Sequence, residues 1–272
     1  MSNLLNAIIL GVVEGITEFL RISSTGHLIV ASDLLRFKDA GGTFEIVIQL
    51  GAVLAVVWFY RTDLIERVCK TAASRQTRRF WLNLFVAFLP AAITGLAFEK
   101  FITEQLFSPL TVAASLIIGG IILWLVERRR EITESVPTSG HTIQLDRVTT
   151  RQALLIGFTQ ITALVPGVSR SGSSIVGGLL SGLDRETATA FSFYLAIPTL
   201  GGATLYKLLK NLHQIASQGA ALNLAIGTTV AFITAWLAIG WLLRYVAHHD
   251  FRSFAVYRIL AGLLIIAWVS LR

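Results

Sequence analysis

A single cysteine, Cys69, in 272 residues rules out an intrachain disulfide framework and a zinc site built on thiolates. Charge is also scarce. Only 14% of the residues are Asp, Glu, Lys or Arg while 54% are hydrophobic, where a soluble domain carries roughly a quarter charged. With a mean hydropathy of +0.69, the chain has too much apolar surface for a soluble protein and reads as an integral membrane protein. The N-terminus lacks the basic start and small-residue cleavage site of a signal peptide, so the first apolar segment is expected to stay in the mature protein. The net charge of +7 does not indicate nucleic acid, because the basic residues cluster between apolar spans and form no face or stripe.

The apolar runs divide into two kinds. Six of them, at about 43–60, 82–98, 110–126, 188–206, 221–243 and 254–271, approach the ~20 residues that cross a ~30 Å hydrocarbon core. Two others, 3–36 and 152–182, are interrupted near the middle by polar, Gly-containing or Pro-containing stretches. Irregular backbone at membrane depth must be buried in protein or line a wet cavity. Each of these two is therefore expected to be a re-entrant helix, loop and helix. The fold class follows: an all-α polytopic membrane protein, one integral domain over 1–272, with six transmembrane helices and two re-entrant elements.

Orientation is read from Lys and Arg in the connections. Arg61, Arg67, Lys70, Arg75, Arg78 and Arg79 fall between the first two crossings; Arg128, Arg129, Arg130, Arg147 and Arg151 follow the third. This topology puts them on one side with Arg185, Arg244 and Arg252, leaving Arg36, Lys38, Lys100, Lys207, Lys210 and Arg272 opposite. The richer side is expected to be cytoplasmic and both termini non-cytoplasmic. Trp58, Trp81, Trp124 and Trp268 lie near span ends, as an interfacial belt requires.

Chemistry-bearing residues concentrate at 14–27, EGITEFLRISSTGH. Glu14 and Glu18, four apart, share a helix face, and Ser23, Ser24, Thr25 and Gly26 end that helix in a turn. VPGVSRSGSS at 165–174 has the same texture. Aligning Ile16 with Ile161 and Thr17 with Thr162 matches Ser23 to Ser169, Gly26 to Gly172 and Val30 to Val176 after a one-residue insertion. Phe44 then meets Phe191. The chain thus reads as two repeats, 1–126 and 152–272, joined by a cytoplasmic connection at 127–151. Each holds one re-entrant element and three crossings, so the second copy is inverted. Inverted repeats with broken helices place a binding site near the midplane, where the breaks meet.

Such a site would combine two chemistries. Arg170, the hydroxyls of Ser23, Thr25, Ser169, Ser171 and Ser173, and the amides of Gly26 and Gly172 suit phosphate oxygens. Glu14, Glu18 and His27 suit a divalent cation or proton transfer. Together they indicate a metal-bound polyphosphate, with Ser24 or His27 as the attacking group. The plainer readings are solvated carboxylates for Glu14 and Glu18, an ion pair between Arg170 and either of them, and capping or packing for the serines. Against these stands the cost of intramembrane ionisable groups, which makes them functional by default. His141, His213, His248 and His249 read as solvated connection residues, and Arg258 as an anchor snorkelling to the interface.

The motifs EGITEFLRISSTGH, TFEIVIQLGAVLAVV and PGVSRSGSSIVGGLLSGLDRETATAFSFYLAIP resemble those of the bacterial undecaprenyl-pyrophosphate phosphatase family, also described as bacitracin-resistance proteins. The resemblance covers essentially the whole chain. It implies removal of the terminal phosphate of a C55 isoprenoid pyrophosphate, recycling the carrier lipid for cell-wall polymers. It also implies dependence on a divalent cation, Mg²⁺ or Ca²⁺, location in the bacterial inner membrane, and an active site open to the periplasmic or external side. Glu14, Glu18, Ser23, Ser24, Thr25, His27, Ser169 and Arg170 fall on positions implicated in that family's site, and Gln49 on its IQLG stretch. The family motif reads EFLPVSSTGH, so Arg21 replaces a proline here; it is expected to bind phosphate, to pair with Glu18 or to impair activity. The alternative function is a transporter or flippase of a phosphorylated polyprenyl lipid, since inverted repeats are its usual architecture. The oligomeric state stays open, a homodimer included.

Overall fold

The computed structural model describes residues 3–37, 43–133, 143–210 and 221–271; Lys38, His141, His213 and Arg272 lie outside them. The described residues are helical, with no strand among them. The first interrupted region forms α1 (Asn3–Phe19) and α2 (Ser24–Leu34). Next come α3 (Thr43–Phe59), α4 (Arg61–Lys70), α5 (Arg75–Ala97), the one-turn α6 (Glu99–Phe101) and α7 (Pro109–Thr133). The second interrupted region gives α8 (Thr150–Ile161), a 3-10 turn at Thr162–Leu164 and α9 (Arg170–Leu180). Three long helices complete the chain: α10 (Arg185–Lys210), α11 (Ala221–Val246) and α12 (Arg252–Ser270).

Each apolar run expected to cross lies within a helix. Five helices, α5, α7, α10, α11 and α12, are long and apolar enough to span a bilayer; α3 joins them only if it and α4, bent by 67° at Tyr60, count as one broken span. Their outer faces carry Leu82, Phe85, Ile93, Ile118, Leu263 and Leu264, all exposed. Such a surface is stable in lipid and not in water. A multi-pass membrane protein is the architecture that fits.

Close approach of backbones holds the helices together. A Cβ built on Gly15 of α1 would lie 2.5 Å from the Ala231 carbonyl oxygen of α11, and one on Gly262 of α12 would lie 2.7 Å from the Ala113 carbonyl oxygen of α7. Small residues at these crossings let dispersion act over short distances, which matters where lipid removes the hydrophobic drive between helices.

The two broken helices have the same local construction. Ser23 and Ser169 adopt left-handed backbone conformations, φ 69° and 59°, and cap α2 and α9. Each serine hydroxyl accepts from the amide of a glycine three residues on, Gly26 at 3.5 Å and Gly172 at 3.2 Å. In both hairpins the second helix packs back on the first. Phe37, just past α2, stacks edge-on against Phe44 at the start of α3 and shares an apolar cluster with Ala7 of α1. At the other hairpin, Gln152 near the start of α8 donates to the Ser181 carbonyl at the end of α9, 3.1 Å away. These contacts hold the two ends of each hairpin near each other.

Charged connections gather at one end. Arg67 donates to Asp63 at 2.6 Å and to Asp146 at 2.5 Å, and Arg185 pairs with Glu127 at 2.6 Å. Lys210 and Tyr206 meet Glu99 at the other end, each at 3.2 Å.

Arg258 corrects an expectation. It does not snorkel: only 2% of the residue is exposed, and its guanidinium is surrounded by backbone carbonyls. Its donors are taken by backbone carbonyls inside the molecule.

Candidate functional site

A cavity of about 480 Å³ opens where the two breaks meet. Its polar end is lined by Glu18, Ser23, Ser24, Thr25, Gln49, Gln160, Ser169 and Arg170. Apolar walls, including Phe88, Ala91, Leu96, Leu164 and Leu200, continue from there to a mouth bearing Glu99, Phe107, Tyr206 and Lys207. The mouth lies at the end opposite the arginine-rich connections.

Glu18 is the hub of the polar end. Ser24 Oγ donates to Glu18 Oε2 at 2.6 Å, and Arg170 Nη2 donates to Glu18 Oε1 at 3.0 Å. Arg170 Nη1 donates to the Ser192 carbonyl oxygen at 2.9 Å. Ser171 Oγ donates to the Glu18 carbonyl oxygen at 3.2 Å. One break supplies the carboxylate and hydroxyl, and the other supplies the guanidinium fork. Such a fork, charged and planar, can bind tetrahedral phosphate through two parallel hydrogen bonds, and Ser24 has a carboxylate in reach to take its proton.

Other residues expected in the site stand apart from the cavity. His27 points its Nδ1 at the Ser23 carbonyl oxygen, 2.7 Å away, and its Nε2 at the Tyr257 hydroxyl, also 2.7 Å away. With a carbonyl at Nδ1, the proton sits on Nδ1 and Tyr257 donates to Nε2. The amides of Gly26 and Gly172 donate to the capping serines, and Ser173 shares a hydrogen bond with Thr162 at 3.0 Å. None of His27, Gly26, Ser171, Gly172 and Ser173 borders the cavity; Ser24, Thr25 and Arg170, in the same first helical turns, do.

Arg21 is also corrected. It is fully buried, outside the cavity, and pairs neither with a phosphate position nor with Glu18. Its backbone is left-handed, φ 65°, which turns the side chain away from the carboxylate. Nη2 donates to Thr189 Oγ1 at 2.7 Å, and Cζ lies 3.7 Å from the centroid of the Phe251 ring.

Glu14, one turn before Glu18 on α1, is fully buried, and neither of its carboxylate oxygens has a hydrogen-bond partner among the described residues. A bare buried carboxylate is costly. Among the described residues no group of three or more His, Cys, Asp or Glu side chains is arranged to hold a metal. Mg²⁺ commonly takes one or two carboxylates and completes its shell with substrate phosphates and water; Glu18 borders the cavity and Glu14, buried one turn earlier on α1, does not, so the pair offers the carboxylates such an ion needs with Glu14 as the inner one.

Gln160 was not foreseen from the sequence, and Arg258 was foreseen only as an anchor. Gln160, 2% exposed, borders the cavity, and neither atom of its amide has a partner among the described residues. Arg258 could have been found, since an ionisable residue inside an apolar span is a functional candidate by default.

Known proteins resemble this chain along nearly its whole length. The chain is 51% identical over 266 residues to an undecaprenyl-diphosphatase of Methylobacillus flagellatus, covering 97% of each chain. It is 50% identical over 262 residues to undecaprenyl-diphosphatase 1 of Burkholderia thailandensis, covering 96% of this chain and 93% of the other. It is also 50% identical over 266 residues to an undecaprenyl-diphosphatase of Dechloromonas aromatica, covering 97% and 94%. The profile of the bacitracin resistance protein BacA family matches residues 7–264. With both breaks and nearly the whole chain inside that match, the chain belongs to the bacitracin resistance protein BacA family.

Proposed function

We propose that this protein hydrolyses undecaprenyl pyrophosphate to undecaprenyl phosphate and inorganic phosphate within the bacterial inner membrane. The observation that carries the reading is the Ser24–Glu18–Arg170 constellation at the polar end of an otherwise apolar cavity. The isoprenoid chain occupies the apolar walls and the bilayer beyond them, and the pyrophosphate reaches the polar end. Arg170 and the hydroxyls of Ser23, Thr25 and Ser169 hold phosphate oxygens. Ser24 Oγ attacks the terminal phosphorus while Glu18 takes its proton; the bridging P–O bond breaks and undecaprenyl phosphate leaves. Water then cleaves the phosphoserine and releases inorganic phosphate. A divalent cation held by Glu14 and Glu18 would neutralise charge on the pyrophosphate. Of the two nucleophiles considered, Ser24 is favoured because it borders the cavity and donates to a carboxylate, whereas both His27 nitrogens are engaged elsewhere.

The finer topology belongs to the same proposal. Six crossings, with α3 as the sixth, and two re-entrant hairpins entering from opposite sides are supported by the contacts that hold the two ends of each hairpin near each other. The matched left-handed serine caps support an inverted repeat of 1–126 and 152–272. The arginine-rich end faces the cytoplasm and the cavity mouth the periplasm, with both termini on that side.

Release of inorganic phosphate from undecaprenyl pyrophosphate by purified protein tests the reading, run with Mg²⁺ or Ca²⁺ and with chelator. Chelator-sensitive release is expected; silence from folded protein in either metal would overturn it and leave lipid transport as the reading to pursue.

A further inference from the structure

Arg258, on the last helix, is not among the residues that border the cavity, yet it touches both breaks. Nη1 donates to the Arg21 carbonyl oxygen at 3.1 Å, in the first break. Nη2 donates to the Gly167 carbonyl oxygen at 3.3 Å, in the second. The same Nη2 reaches the Ser115 carbonyl oxygen of α7 at 3.2 Å, and Nε reaches that of Leu116 at 3.4 Å. The Arg21 and Gly167 carbonyls lie where loop replaces helix, and buried ones need a donor; those of Ser115 and Leu116 lie inside α7 and tie the guanidinium to that helix.

We propose that Arg258 is a positioning residue for the phosphatase reaction: one guanidinium fixes the two helix breaks to each other, and so sets Ser24 and Glu18 against Ser169 and Arg170. The inference rests on the function proposed above. Its physical basis is that the two breaks come from distant parts of the chain and have irregular backbone, and that the contacts of Arg170 and Ser171 with Glu18 join them at Glu18 alone, whereas Arg258 ties their loop carbonyls together. A planar fork with five donors can serve several carbonyls at once in fixed directions; a lysine ammonium, three donors on a flexible stem, cannot reproduce them. Gly119 of α7 completes the seat. A Cβ there would come within 2.1 Å of Arg258 Nη2, so Gly119→Ala displaces the guanidinium without replacing any residue of either break or of the cavity lining.

The test compares the full-length protein with Arg258→Lys and Gly119→Ala, using steady-state kinetics on undecaprenyl pyrophosphate and hydrogen exchange of the peptides spanning the two breaks. Misplacement of reacting groups by an ångström or so costs up to about 100-fold in rate. The expected result is a kcat lowered roughly 10- to 100-fold with KM nearly unchanged, and exchange that rises in both breaks together. A purely structural role would lower the yield or the melting temperature and leave kcat per folded molecule as in the wild type. A wild-type kcat in folded Arg258→Lys overturns the proposal, as does exchange that rises in one break only. Should Arg258→Lys fail to fold, Gly119→Ala decides by the same two readouts. A wild-type protein without phosphatase activity would defeat the proposed function alone, because the exchange experiment still reports whether Arg258 couples the breaks.

Discussion

Arg170 and Glu18 lie 152 positions apart in the chain and are joined by a 3.0 Å hydrogen bond between Nη2 and Oε1, with both side chains at most 10% exposed. Removing either partner leaves the other charged and buried, which costs about 3–5 kcal/mol. Glu18→Ala and Arg170→Ala are each expected to lower the melting temperature yet purify folded, and to cut phosphate release by at least ~100-fold, the scale of losing one preorganised electrostatic group. Turnover near the wild type in either variant would remove this site from consideration.

Glu14 makes a separable prediction. If its unpartnered carboxylate ligates the cation, Glu14→Ala shifts the Mg²⁺ concentration for half-maximal activity upward by roughly 10- to 100-fold, the scale seen when a group supporting a metal is lost. A magnesium titration of activity checks this. An unchanged midpoint with reduced turnover would assign Glu14 to some other task.

Arg21 should matter for stability and little for chemistry. Arg21→Met removes the hydrogen bond to Thr189 and the stacking on Phe251, and a loss of about 2–4 kcal/mol is expected from the charge-assisted bond and the cation–π contact together. Thermal unfolding in detergent measures the loss, while kcat/KM of the folded fraction stays within a few-fold of the wild type. A selective rise in KM would return Arg21 to the phosphate site.

Cys69 is exposed near the end of α4 and is the one cysteine in the sequence. A membrane-impermeant maleimide added to intact cells is expected to leave it unlabelled, and to label it in inside-out vesicles. Labelling from outside would invert the proposed topology.

Much of this was legible without coordinates. Glu18, Ser24 and Arg170 announce themselves because polar residues interrupt apolar runs only at a cost, and the alignment of Ser23 with Ser169 anticipated two equivalent turns. Arg258 was misread, and the contacts of Arg21 were not foreseen, for one reason. A sequence shows that a cation lies within an apolar segment and gives no sign of which carbonyl, ring or carboxylate awaits it. His27 was placed in the site by its neighbours in the chain, but a helix turn carries its side chain toward Tyr257, 230 positions away.

The sequence by itself determined the solvent, the helical class and the two interruptions, because hydropathy and turn chemistry act over neighbouring residues. Only the tertiary structure decided which groups meet. Glu18 meets Arg170, Arg21 meets Thr189 and Arg258 meets Arg21, each across more than a hundred positions, and their pairing depends on how closely glycine-bearing helices pack and on the direction each break imposes on the chain. Those are properties of the assembled backbone, absent from any local stretch of residues.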